Sequence, residues 1–102
     1  MQVNDIKKRI RVHVFISGKV QGVYFRQNTK QAAIRHRVTG WVRNLPDGRV
    51  EAIFEGYNAD VNEVIEWCHV GPAKAKVEDV DVRFEKYTGE LADFTINNSN
   101  NN

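Results

Sequence analysis

From Ile10 onward the chain alternates. Ile10, Val12, Val14 and Ile16 are apolar, and Arg11, His13, Phe15 and Ser17 stand between them. A period of two predicts a strand with one strongly apolar face. After Gly18 and Gly22 the period lengthens. From about Phe25 to Arg37, the residues Phe25, Thr29, Ala32, Ala33 and His36 fall on one side of a helix, with Gln27, Lys30, Gln31 and Arg35 on the other. Gly40 to Asn44 reads as a second strand and Arg49 to Glu55 as a third. Between them lies LPDG (45–48), a turn in which Pro46 presets its own φ and Gly48 tolerates a positive one. Asn58 or Asp60 opens a second helix, with Asp60 and Glu63 at capping-box spacing. Val61, Val64, Ile65 and Cys68 supply its buried stripe, and Gly71-Pro72 stops it. Val80, Val82 and Phe84 alternate along a fourth strand, and Phe94-Thr95-Ile96 makes a short fifth.

The order is βαββαβ plus an edge strand. Two helices on one face of an antiparallel sheet bury these stripes economically, so the expected class is α+β and the expected architecture a ferredoxin-like sandwich. Right-handed crossovers place strand three between strands one and two. Strands one and two then run parallel and end at the same edge of the sheet. That arrangement brings residues 18–26 and Asn44 together. Residues 1–8 read as a loose leader, 9–96 as one domain, and the Asn-rich 97–102 as a polar tail unable to bury anything.

Composition narrows the possibilities. The chain's 102 residues suit one domain, and 41% hydrophobic residues are enough for a core. No apolar run approaches a membrane span, and MQVNDIKKRI lacks the apolar centre of a signal peptide. A single cysteine rules out an internal disulfide framework and suits the cytoplasm. A formal charge of +2 is too small to argue for nucleic acid. Composition alone stops at a small soluble domain, with no nucleic acid or membrane as partner; a small-molecule partner and a monomeric state are expectations that it does not itself establish.

Candidate chemistry gathers at Gly18 to Arg26, which reads GKVQGVYFR and joins a strand to a helix N-terminus. Glycines let successive N–H groups turn into one concavity, and the first N–H groups of a helix lack intrahelical partners. An anion fits such a place. Arg26 sits in or just before the first turn, where a cation works against the helix dipole unless a bound phosphoryl group reverses the sign. A plain glycine turn followed by a surface arginine accounts for the same residues. Gly18-Lys19 does not make a nucleotide P-loop, because the upstream glycine falls at His13 and Val20 replaces Ser/Thr. Cysteine-phosphatase spacing from Cys68 reaches Lys74 instead of arginine, and Cys68 lies on the apolar stripe. His13, His36 and His69 have no ligand-like spacing, so no metal and no cofactor is expected. With no metal, nucleophile or general acid, the hydrolysable phosphate is one whose leaving group departs unaided, as a carboxylate does. Asn44 has both an acceptor and a donor with which to orient a water.

The stretch from Gly18 to Arg26 resembles the first signature of the acylphosphatase family. Gly40-Trp41-Val42-Arg43-Asn44, continuing through Gly48, Val50 and Gly56, resembles its second, and Gly71-Pro72-Ala73 with Ala75-Lys76-Val77 is also similar. The resemblance spans about residues 10–96. It implies hydrolysis of an acyl phosphate to a carboxylate and inorganic phosphate, without metal or covalent intermediate. It further implies phosphate binding by Arg26 and by backbone amides of Gln21, Gly22, Val23, Tyr24, Phe25 and Arg26, and placement of the water by Asn44. The competing expectation is a binding module on the same fold, such as an RNA reader. Strand three reads RVEAIFE, which lacks the basic-aromatic run of that class.

Overall fold

The alternation beginning at Ile10 becomes β1 (Arg9–Lys19) in a computed structural model that describes residues 7–97. The expected leader and tail fall outside the described residues at 1–6 and 98–102. Within them, the Lys8 carbonyl accepts from Asn58 N–H at 2.8 Å, and Asn97 N–H donates to the Val42 carbonyl at 2.9 Å.

Helix α1 (Phe25–Arg35) follows β1, then β2 (Thr39–Asn44), β3 (Val50–Tyr57), helix α2 (Asn58–Val70), β4 (Lys76–Glu85) and β5 (Phe94–Ile96). The strand order is β4-β1-β3-β2-β5, with β3 between β1 and β2 as right-handed crossovers require. Both β1 and β2 pair antiparallel to β3, so they run parallel to each other and end together. Gly40 is where the sheet tolerates no side chain: its φ is 143°, and a Cβ there would lie 1.8 Å from the Ile53 carbonyl oxygen.

Four expectations of detail need correction. The sheet is mixed, because β5 pairs parallel to β2 (Gly40↔Phe94, Val42↔Ile96). The cause is directional: β4 ends beside the start of β1 (Glu85↔Arg11), and β5 begins from that same edge beside the start of β2. Helix α1 stops at Arg35, two residues early. Arg37 takes a left-handed φ of 59° without being glycine, and His36 becomes the half-buried C-cap. The Asp60–Glu63 capping box does not form, since Tyr57 is the N-cap and Asp60 already lies in the first turn. There its charge suits the positive end of the helix. Strand β4 also begins earlier than Val80, through charged residues (Lys76, Glu78, Asp79) of the kind that protect an exposed sheet edge.

The core lies between the helices and one sheet face. Val12, Val14 and Ile16 of β1, Val42 of β2 and Phe54 of β3 are fully buried there with Phe25, Ala33, Val61 and Val64 from the helices. Cys68 belongs to this layer. Burial pushes its thiol up to about 12, which leaves almost no thiolate at neutral pH.

The helix-free face carries ions. Glu55, 1% exposed, accepts from Arg11 Nη1 at 3.0 Å, Thr88 N–H and Oγ1 at 2.9 Å each, and Gly89 N–H at 3.2 Å. Glu51 accepts from Arg43 Nε and faces His13 Nε2, both at 2.6 Å. Burial alone would raise the Glu55 pKa, but these donors outweigh it and hold the carboxyl below its ordinary 4.5. The unfolded chain therefore takes up this proton first on acidification. The stabilisation is complete above about 4.5 and is lost as pH falls through the lowered folded value. Glu55→Gln should cost about 2 kcal/mol at pH 7 and flatten the acid limb of stability, read from urea midpoints across pH. An unchanged acid limb would show that this carboxylate does not carry the dependence.

Candidate active site

Because β1 and β2 are parallel neighbours of β3, the turn leaving β1 and the end of β2 meet at one edge. The turn curls through two left-handed residues, Gly22 (φ 75°) and Tyr24 (φ 64°), separated by Val23. Nothing lies within 4 Å of where a Gly22 Cβ would be, so glycine is required there by backbone conformation alone. Tyr24 is the N-cap of α1, although it has no capping side chain, and the first turn contains no acidic residue. Asn28 holds the start of the helix instead, its N–H and Nδ2 both donating to the Tyr24 carbonyl. Among the described residues, no protein acceptor takes a hydrogen bond from the backbone N–H groups of Gln21 through Arg26.

A pocket of about 470 Å³ opens at this edge. Gly22, Tyr24, Phe25 and Arg26 line one side and Asn44 another, with Val20, Gln27 and Ile96 completing the wall. The structure thus brings together five of the seven residues expected at the site. Val23 is buried beneath the turn. Gln21 points its side chain away, and Nε2 donates to the Leu45 carbonyl at 2.8 Å and the Arg49 carbonyl at 2.9 Å. Those two bonds tie the turn to the β2–β3 hairpin, whose first strand ends in Asn44.

Two features of the pocket are unbalanced in the protein alone. Arg26, half-buried at the positive end of α1, makes no ion pair among the described residues. Asn44 Oδ1 is buried without a hydrogen-bond partner. Such an acceptor costs about 1–3 kcal/mol unless something donates to it. An anion would balance the first and a water the second. The lining includes no carboxylate, histidine or cysteine. Among the described residues, no three His, Cys, Asp or Glu side chains converge as a metal site would need.

Sequence reasoning missed Gln27, Ile96 and the Gln21 side chain. Gln27 was legible as the neighbour of Arg26 in the first helical turn. Ile96 was not, because the parallel pairing that brings it beside Val42 is non-local.

The molecule is an α+β sandwich with a cationic, acid-free pocket between a strand-to-helix turn and a neighbouring strand end, a pocket whose charge suits an anion. The chain belongs to the acylphosphatase family, whose family model matches residues 12–96. The acylphosphatase of Syntrophus aciditrophicus is 60% identical over 86 residues, covering 84% of this chain and 90% of that protein. An acylphosphatase structure from Coxiella burnetii superposes with a TM-score of 0.84 at 33% identity, covering 94% of this chain and all of that one. One from Bacillus subtilis gives 0.83 at 31% identity, over 85% of this chain and 97% of that one.

Proposed function

We propose that this protein hydrolyses acyl phosphates to a carboxylate and inorganic phosphate by direct in-line attack of water on phosphorus. One observation supports the mechanism best: Asn44, whose amide oxygen is buried without a partner, lines the same pocket as Arg26, which makes no ion pair, beside a turn whose N–H groups have no protein acceptor among the described residues. Arg26 and the amides from Gln21 to Arg26 hold the phosphoryl oxygens, where they also oppose the charge of the transition state. Asn44 accepts a hydrogen bond from the attacking water and orients its lone pair toward phosphorus. The pocket lining supplies no carboxylate, histidine, serine or cysteine to act as nucleophile or general acid. The leaving group must therefore depart without a proton, which suits a carboxylate and not an alkoxide. The substrate's own phosphate oxygen takes the water proton.

No metal, cofactor or covalent intermediate enters this scheme. The partners are the acyl phosphate and the phosphate product, and the protein acts as a cytoplasmic monomer. No helix among the described residues is long and apolar enough to cross a membrane. The nucleic-acid alternative lacks its signature on the central strand β3, which reads VEAIFEGY and has no basic-aromatic run.

Chelator-treated protein should cleave benzoyl phosphate, and substrate with stereogenic phosphorus should give phosphate of inverted configuration. Retention would show an even number of displacements and hence a phosphorylated enzyme. Absence of turnover in folded protein would leave an anion-binding domain without hydrolase activity.

A further inference from the structure

In-line hydrolysis needs a fixed spacing between two parts of the pocket that come from different stretches of chain. The turn after β1 supplies one part, and Asn44 at the end of β2 supplies the other. Strand pairing alone does not fix that spacing. β1 is paired with β3 only as far as Ile16, opposite Val50, and from Ser17 to Lys19 it pairs with β4 alone. Val20 and Val23 are buried beneath the turn, but apolar packing is non-directional. Among the described residues, only the Gln21 side chain hydrogen-bonds residues 20–24 to the β2–β3 hairpin.

The chemistry of Gln21 suits a clamp. The residue is half-buried and does not line the pocket. Its Nε2 carries two hydrogens, and they reach the carbonyls of Leu45 and Arg49 at 2.8 and 2.9 Å. Those carbonyls stand at either end of the hairpin turn. Each already accepts one backbone bond, from Gly48 N–H at 3.1 Å and from Leu45 N–H at 2.8 Å respectively. The amide takes the second lone pair of each, where a hydroxyl, with one hydrogen, would serve only one. One end of the clamp is next to the left-handed Gly22, and the other is next to Asn44.

We infer that Gln21 is a positioning residue for the reaction: its side-chain amide sets the distance between the phosphoryl seat and the water that Asn44 orients. This rests on the hydrolase reading above and adds to it a side chain that touches neither substrate nor water.

The test is a double-mutant cycle read with benzoyl phosphate. Gln21→Met keeps the side chain's length and removes both donors. Each carbonyl keeps its backbone donor, so the fold should stand, which the urea midpoint checks. Its kcat should fall by about tenfold or more, since displacing a reactant by about 1 Å can cost on the order of 10²-fold. Inhibition by inorganic phosphate should stay within about twofold, because the seat itself is intact. Gln21→Asn keeps the amide but is one methylene too short, and it should match Gln21→Met. In an Asn44→Ala background, where no water is placed, either change should cost less than about twofold. A purely structural role predicts instead that the losses multiply. That result, or phosphate affinity falling in step with kcat, or wild-type kcat in both Gln21 variants, would overturn the assignment. Wild-type turnover separates the two readings: if it is present, multiplying losses remove the positioning role alone, and if it is absent, the hydrolase reading fails and the assignment with it.

Discussion

Arg26→Ala should lower kcat/KM for benzoyl phosphate by on the order of 10²-fold or more, the scale seen when a preorganised donor to a developing oxyanion is lost. Inorganic phosphate should bind more weakly as well, because in the proposed mechanism the guanidinium holds ground state and transition state alike. Arg26→Lys should restore little. An ammonium is a compact point charge and cannot present two parallel N–H groups to two phosphoryl oxygens. The loss should not trace to unfolding. Arg26 makes no ion pair among the described residues, and it places a cation at the positive end of α1. Removing it should leave the Tm unchanged or raise it, by up to about 1 kcal/mol in stability. Wild-type kcat/KM in this variant would remove Arg26 from the phosphoryl seat.

Asn44→Ala should separate binding from turnover. Phosphate inhibition should stay near the wild-type value, since Arg26 and the turn amides remain, while kcat falls by about 10²-fold, the penalty for a misplaced reactant. Stability again should not fall. Asn44 Oδ1 is buried without a partner, and deleting such an acceptor removes a desolvation cost and no protein hydrogen bond. A collapse of phosphate affinity alongside kcat would move Asn44 from water placement to phosphate binding. Both variants test one proposal: the site holds an imbalance, a cation against a dipole and an unpartnered acceptor, which substrate with its water would relieve.

Much of this was legible without coordinates. The two-residue alternation of β1 and the Val61–Cys68 stripe of α2 depend only on which positions face an apolar layer, and such patterns survive in any fold that buries them. The LPDG turn and the glycines before α1 state local backbone conformations that few other residues adopt. The misses share a cause. Arg37 terminates α1 in a left-handed conformation that its side chain does not advertise. Asp60 looked like a cap because capping spacing is common where no cap forms. β5 runs parallel to β2 because β4 ends at a particular edge, which no local stretch of sequence specifies.

Periodicity and turn chemistry are short-range, so the chain's order of residues was enough to name the elements, the crossover handedness and, with it, the meeting of Arg26 and Asn44. Packing had to be seen to learn that Gln21 anchors the turn to the hairpin, that Ile96 closes the pocket, and that Asn44 Oδ1 has nothing to bind. Whether a buried polar atom is satisfied depends on every neighbour at once, and the residues of this pocket come from the turn after β1, α1, β2 and β5 together.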